Sequence, residues 1–160
     1  MPHAKDALIN LPSSIVGTSP TETTMHDDHA AFPANHALLA DVIATSRHWI
    51  THFNHGDIDA CADMYTEDAV MEASPFGTFN GREQIRAFWR ALVEDKRAGL
   101  LRYSAIKVEQ SGPDEILLSA DWTMNIGGGR ILLERWVRRN GRWRLAEDRF
   151  AVEGIKAEHG

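Results

Sequence analysis

The fold class is decided by residues 116–152, which read ILLSADWTMNIGGGRILLERWVRRNGRWRLAEDRFAV. Apolar and polar residues alternate from Ile116 to Met124, and a period of two residues is typical of a strand with one buried face. Asn140-Gly141 separates two further apolar segments and predicts a tight hairpin. We expect these segments to form an antiparallel sheet, with a flexible turn at Gly127-Gly128-Gly129.

The chain before this sheet is predicted to be mainly helical. Apolar residues recur at helical spacing from Asn35 to Gly56, a short helix follows from Asp57 to about Tyr65, and an amphipathic helix covers about Arg82 to Arg97. A strand is predicted at Ala69–Ala73 and another at Leu100–Gln110. Because the helices are grouped before most of the strands, the sequence predicts an α+β domain and not an alternating parallel fold.

The length of 160 residues, with 43% hydrophobic and 25% charged residues, fits one globular domain. Residues 1–34 hold four of the six prolines and no periodic apolar face. We therefore predict a flexible N-terminal tail there, with an arm lying on a partner subunit as the alternative. The domain is predicted to cover residues 35–154, and residues 155–160 are predicted to form a C-terminal tail.

Composition limits the classes of function. The formal net charge of −6 disfavours binding to nucleic acid or to an anionic membrane. Cys61 is the single cysteine, which excludes an internal disulfide and a thiolate metal cluster, and no apolar run approaches the ~18 residues of a membrane span. We therefore expect a cytoplasmic protein. We also expect no metal site, because His48, His52 and His55 have no further ligand converging on them and fit a solvated helix surface.

The hairpin at Asn140-Gly141 also predicts which residues face each other across the last two strands. Large apolar residues, among them Trp136, Trp143 and Leu145, then occupy the face turned away from the helices. Because a monomer would leave these side chains in water, we predict a homodimer through this face of the sheet. If Arg139 pairs with Arg142 and no bulge follows, which we call the even register, three pairs lie on the opposite face: Ile131 with Phe150, Leu133 with Asp148, and Arg135 with Ala146.

A second stretch, residues 48–73, reads HWITHFNHGDIDACADMYTEDAVMEA and resembles the opening of the ketosteroid isomerases and their relatives in the nuclear transport factor 2-like superfamily. The resemblance covers roughly residues 35–154. It implies a cone-shaped α+β barrel, in which three N-terminal helices pack on a curved, mostly antiparallel sheet around an apolar pocket, and usually a dimer. The motifs that carry it are Gly56-Asp57-Ile58, Met64-Tyr65, Glu67-Asp68-Ala69, Gly81-Arg82 and the closing NGRWRLAEDRF hairpin.

The resemblance does not extend to the catalytic groups of the ketosteroid isomerases. Similar isomerases use a tyrosine as oxyanion donor, an aspartate as base and a second, protonated aspartate as donor. Matched without gaps, these positions fall on Trp49, Ala73 and Leu133 of this chain. A standard ketosteroid isomerase mechanism is therefore not expected.

The closing hairpin is similar to that of SnoaL-like polyketide cyclases of the same superfamily, in which an aspartate seven residues after the turn glycine serves as acid and base. That position is Asp148 here. In the even register Asp148 faces the pocket with Ile131, Leu133 and Phe150, and burial there should raise the pKa of its carboxyl group. The alternative is that Asp148 pairs with Arg135, its diagonal neighbour, and only ties the sheet together.

Two functions follow from this comparison. The first is cofactor-free proton transfer next to a carbonyl in a small hydrophobic molecule, by an isomerase, an aldol-type cyclase or a hydro-lyase. Asp148 would move the proton, and Tyr65, Trp49 or Arg135 would stabilise the oxyanion. The second is a non-catalytic small-molecule-binding or dimerisation module, so whether the chain is an enzyme stays open. The predicted pocket residues are Trp49, Phe53, Met71, Ala73, Phe88, Trp89, Trp122, Met124, Ile131, Leu133 and Phe150.

Overall fold

A computed structural model describes residues 35–155, so the tail predicted at residues 1–34 lies outside the described part of the chain, as does the tail predicted at residues 155–160 except for its first residue. Ile155, predicted to begin the C-terminal tail, instead ends the last strand. Within residues 35–155, no helix is both long and apolar enough to cross a membrane. The elements are, in chain order, α1 His36–Asn54, α2 Ile58–Asp63, β1 Tyr65–Ser74, β2 Gly77–Asn80, α3 Arg82–Lys96, β3 Arg102–Gly112, β4 Glu115–Met124, β5 Gly127–Arg139 and β6 Arg142–Ile155.

Side-chain caps fix the starts of the first two helices. The Oδ1 atom of Asn35 accepts hydrogen bonds from two backbone N–H groups of the first turn of α1, at 3.1 and 3.3 Å. Asp57 caps α2 in the same way. The prediction that this helix continues to Tyr65 is wrong, because Tyr65 already pairs with Leu145 of β6 and opens β1. The neighbouring strand supplies the backbone partners that a longer helix would otherwise provide.

The six strands form one sheet in the order β2-β1-β6-β5-β4-β3. β1 runs parallel to β6, and every other neighbouring pair of strands is antiparallel. Register shifts interrupt four of the five ladders, and such bulges increase strand twist and bend a sheet. The predicted α+β architecture, three helices packed on a curved, mostly antiparallel sheet, is confirmed. The sheet is unclosed, because β2 and β3 remain as its edges.

The predicted two-residue turn at Asn140-Gly141 is confirmed. Both residues have positive φ, 54° and 76°, as the favoured hairpin turn requires, and Arg139 pairs with Arg142. The turn predicted at Gly127-Gly128-Gly129 is wrong, because these glycines form the first residues of β5. Their role is close backbone packing: a Cβ atom on Gly129 would lie 1.9 Å from the carbonyl oxygen of Ala151.

Two bulges change the register predicted for β5 and β6. Ile131 does pair with Phe150, but an extra residue in β5 follows, so Asp148 pairs with Glu134 and not with Leu133. An extra residue in β6, between the partners of Arg135 and Trp136, then restores the original register before the hairpin turn. A shift of one residue exchanges the two faces of a strand. Leu133 consequently pairs with Arg149, whose side chain is exposed, and Glu134 takes the place beside Asp148.

The same bulges remove the basis of the predicted dimer face. Trp136 is fully buried and Leu145 nearly so, both within the core of this chain. Trp143 is half-buried, and the guanidinium group of Arg138 lies over its ring at 5.3 Å from the centroid. The assignment of these apolar side chains to an outward face is therefore wrong. The homodimer itself stays a prediction.

Candidate active site

A cavity of about 780 Å³ lies between the sheet and helices α1 and α3. Aromatic rings and aliphatic chains form most of its wall, and exposed charged residues at the end of α3, Asp95, Lys96 and Arg97, lie at its rim. Two acidic residues also reach the wall, Glu134 from β5 and Asp148 from β6. A volume of this size accommodates a small organic ligand, and the composition of the wall suits an apolar one.

The aromatic part of the wall is held rigid by ring contacts. Trp89 of α3 stacks on Phe150 of β6 with 5.5 Å between centroids, and Trp122 of β4 meets Phe150 edge-on at 6.2 Å. Trp49 of α1 meets Trp89 edge-on at 5.2 Å. The indole N–H groups of Trp49 and Trp122 have no hydrogen-bond acceptor among residues 35–155. Two side chains of the cavity wall therefore carry unpaired donors.

Asp148 is an acid in a hydrophobic setting, with 4% of its surface exposed. The hydroxyl group of Tyr65 donates to its Oδ2 atom at 2.6 Å, and the indole N–H of Trp89 donates to the hydroxyl oxygen of Tyr65 at 3.1 Å. Burial and then the nearby carboxyl group of Glu134 raise the pKa of Asp148 to about 8, against the opposing hydrogen bond from Tyr65. Asp148 thus holds a proton to a far higher pH than an ordinary carboxyl group.

Glu134 is the second buried acid, with 3% of its surface exposed. The hydroxyl of Tyr103 donates to its Oε2 atom at 2.6 Å, while the indole N–H of Trp136 and the hydroxyl of Ser46 donate to Oε1 at 2.9 and 3.5 Å. Burial raises the pKa of Glu134, and all three hydrogen bonds oppose that rise. Glu134 is therefore better supplied with donors than Asp148.

The structure separates the three predicted catalytic residues. Tyr65 contacts Asp148, yet it is fully buried and lies behind the cavity wall instead of in it. The alternative in which Asp148 forms an ion pair with Arg135 is wrong. Arg135 pairs with Glu147 and Glu115, both at 3.3 Å, because the bulges place it on the other face of the sheet. Arg135 is thus neither the structural partner of Asp148 nor a donor to the cavity.

Most of the predicted pocket residues do line the cavity. Four do not: Phe53, Met71 and Ala73 are buried in the core behind the wall, and Leu133 lies on the other face of the sheet because of the bulge in β5. The predicted residues that line the cavity are Trp49, Phe88, Trp89, Trp122, Met124, Ile131 and Phe150.

Three residues of the site escaped prediction: the second acid, Glu134, and two of its hydrogen-bond donors, Tyr103 and Ser46. Without a bulge, Glu134 would lie on the same outward face as Trp136, so the even register does not bring it near Asp148. Ser46 carried a usable signal, since it is a polar residue within the apolar stripe of the first helix, and in the structure it is 4% exposed. Among residues 35–155, no group of His, Cys, Asp or Glu is arranged to hold a metal ion, and His48 is exposed on α1 as predicted.

Residues 46–153 match the model of the SnoaL-like domain family. Solved structures with the same fold include a nuclear transport factor 2-like protein of unknown function from Pseudomonas putida (TM-score 0.68, 15% identity, covering 74% of this chain and 89% of that one). Aln2 from a Streptomyces species matches with a TM-score of 0.67 and 15% identity over 76% of this chain and 94% of its own.

A protein from Novosphingobium aromaticivorans, provisionally named a scytalone dehydratase, gives a TM-score of 0.62 and 14% identity over 76% of this chain and 90% of its own. No curated protein is similar enough in sequence to count as a match. The structural likenesses show the shared fold, and the family model covers most of the described residues. The chain therefore belongs to the SnoaL-like domain family and has the nuclear transport factor 2-like fold.

Proposed function

We propose that this protein is a cofactor-free enzyme that transfers a proton next to a carbonyl group in a small hydrophobic, cyclic or polyketide-like compound. The reaction would be that of an isomerase, an aldol-type cyclase or a hydro-lyase. The observation that carries the proposal is Asp148, a buried acid on the wall of a largely apolar cavity with its pKa raised to about 8. The dehydratase name of one structural neighbour is consistent with this class.

The environment of Asp148 suits proton transfer in both directions. General acid-base catalysis works best when the pKa of the group lies near the operating pH, because both protonation states are then populated. The ionised carboxylate would remove a proton from the carbon next to the carbonyl, and the electron pair of that C–H bond would pass to the carbonyl oxygen as an enolate. The carboxylic acid so formed would return the proton to the substrate or to a leaving hydroxyl group.

The developing enolate oxygen needs a hydrogen-bond donor. Trp49 and Trp122 line the cavity and carry indole N–H groups without an acceptor in the described part of the chain. Trp49 also occupies the position at which similar isomerases carry their oxyanion tyrosine. We assign the oxyanion contact to these indoles in preference to Arg135, which lies on the other face of the sheet.

The test compares Asp148→Asn with Glu147→Gln. Both changes turn a carboxylate into an amide, but Glu147 pairs with Arg135 and Arg149 outside the cavity. Hydrophobic cyclic ketones and enones are first screened for binding by thermal shift, and turnover is then measured on those that bind. We expect Asp148→Asn to keep ligand affinity within about tenfold and to lower turnover by about 10²-fold or more, with Glu147→Gln unchanged.

The same comparison distinguishes the non-catalytic alternative. A binding module would bind these compounds without turning any of them over, and Asp148→Asn would change affinity or stability alone. Equal turnover by the wild type and Asp148→Asn would also refute the proposal. We also propose a cytoplasmic location and a homodimer through the sheet, and light scattering tests whether the protein is a dimer.

A further inference from the structure

Two buried acids share one end of the cavity, and the proposed function uses only one of them. Glu134 and Asp148 are directly opposite each other on neighbouring antiparallel strands, where Cα atoms lie about 4.5–5.5 Å apart. Both line the cavity, and both are at least nine-tenths buried. Among residues 35–155 they are the two buried charged side chains, so no buried lysine or arginine offsets their charge.

The two acids differ in their hydrogen-bond donors. Three groups donate to Glu134, from Tyr103, Trp136 and Ser46, and together they occupy both of its oxygens. A single hydroxyl, that of Tyr65, donates to Asp148, and the other carboxyl oxygen has no donor among the described residues. Donors stabilise the ionised form of a carboxyl group. If one of the two acids is ionised, the structure favours Glu134.

Two ionised carboxylates side by side in a site of this kind repel each other strongly, so the pair retains a proton. We propose that Glu134 is a positioning residue of the site: it stays ionised on its three donors and thereby holds the proton of the pair on Asp148. Glu134 is then the fixed anion of the site and Asp148 its exchangeable acid. This division makes Asp148 both a proton donor near neutral pH and, once ionised, a stronger base than an isolated carboxylate.

Other titratable groups face the pair from each neighbouring element. Tyr65 approaches from β1 and Tyr103 from β3, and burial is the largest cause that raises the pKa of each well above its ordinary value. Cys61 of α2 acts on Tyr103 from further away, and burial raises its pKa as well. All three are neutral near pH 7, while the charged residues Asp95, Lys96 and Arg97 lie exposed at the cavity rim. The proton balance of the site is therefore set by the two acids.

The proposal is tested by titrating the protein with ¹³C-labelled aspartate and glutamate carboxyl groups and following the NMR shifts from pH 4 to 10. Spectra of Asp148→Asn and Glu134→Gln assign the two signals. We expect Glu134 to lose its proton first and Asp148 last. In Glu134→Gln the midpoint of Asp148 should fall by about one pH unit or more, because the neighbouring negative charge is gone. Glu147→Gln, a change on the other face, should leave both midpoints in place.

Tyr103→Phe provides a second variant that keeps both acids. It removes one donor from Glu134, so the midpoint of Glu134 should rise toward that of Asp148. The proposal is overturned if Asp148 ionises before Glu134 in the wild type, if Glu134→Gln leaves the Asp148 midpoint unchanged, or if Tyr103→Phe leaves that of Glu134 unchanged. If Glu134→Gln does not fold, the wild-type order and Tyr103→Phe still decide the question.

The catalytic consequence of this pair rests on the proposed function, whereas the titration needs no substrate. Suppose that the two acids titrate in the expected order but Asp148→Asn has normal turnover. The proposed function would then be refuted, while the assignment of Glu134 would stand. If turnover depends on Asp148, Glu134→Gln should move the pH profile of turnover to lower pH. The size of this move should equal the shift of the Asp148 midpoint in the NMR titration. If the role of Glu134 is purely structural, Glu134→Gln should lower stability and leave the pH profile of turnover in place.

Discussion

Replacing Asp148 by Asn should make the stability of the protein less sensitive to pH. In the unfolded chain an aspartate ionises near its ordinary pKa of 3.8, whereas in the folded protein Asp148 keeps its proton up to a pKa of about 8. Between these values unfolding releases a proton, so the free energy of unfolding falls as the pH rises, and above about pH 8 the loss is complete. Asparagine resembles the protonated acid and has no proton to release.

The size of the effect follows from the two pKa values. Each pH unit between them corresponds to about 1.4 kcal/mol, so the wild type should lose on the order of 4 kcal/mol from pH 5 to pH 8 through Asp148. Since domains of this size are stable by about 5–15 kcal/mol, the loss is large enough to measure. The stability advantage of Asp148→Asn over the wild type should therefore grow by about 4 kcal/mol between pH 5 and pH 8.

Urea denaturation followed by tryptophan fluorescence at pH 5, 6, 7 and 8 measures this difference directly. Glu147→Gln serves as the control, because its carboxylate lies outside the cavity in ion pairs with two arginines. Parallel curves for the wild type and Asp148→Asn, separated by the same amount at every pH, would show that Asp148 ionises like an ordinary carboxyl group. The assignment of Asp148 as the acid of the site would then fail.

Three other expectations concern the support of the site and the assembly. Tyr65→Phe removes the hydrogen bond to Asp148, so it should move the Asp148 midpoint in an NMR titration to higher pH and lower the melting temperature. Gly129→Ala should cost more than about 2 kcal/mol by urea denaturation, since its Cβ would collide with the Ala151 carbonyl; Gly154→Ala, which meets nothing within 4 Å, should be nearly neutral. Light scattering at micromolar concentration should give the mass of a homodimer, and the mass of a monomer would contradict it.

The fold was predictable because its strongest signals are local and regular. The alternation along β4 identified its buried face correctly, and Asn140-Gly141 fixed the last hairpin, since few residues adopt positive φ at both positions of a two-residue turn. The glycines at the start of β5 were misassigned as a turn. Glycine serves both turns and close backbone contacts, and the sequence alone does not show the carbonyl of Ala151 that approaches Gly129.

The composition of the site was less predictable than its location. Asp148 was placed on the cavity face by the even register, and it lines the cavity although that register is wrong, because alternate residues of one strand, here Asp148 and Phe150, share a face whatever the partner strand. Its neighbours do depend on the register. A bulge adds one residue without changing the composition of the strand. No pattern in the residues therefore indicated that Glu134 would replace Leu133 beside Asp148, or that Arg135 would lie on the other face.

The most direct test of the central claim is deuterium exchange at the carbon next to a carbonyl, because it detects proton transfer without knowledge of the product. A hydrophobic cyclic ketone that binds the protein is incubated with it in D₂O, and loss of the proton signal is followed by NMR. We predict that the wild type accelerates exchange and that Asp148→Asn is slower by about 10²-fold or more. Equal exchange rates with the two proteins, or a bound ketone that exchanges no faster than in solvent, would contradict the account.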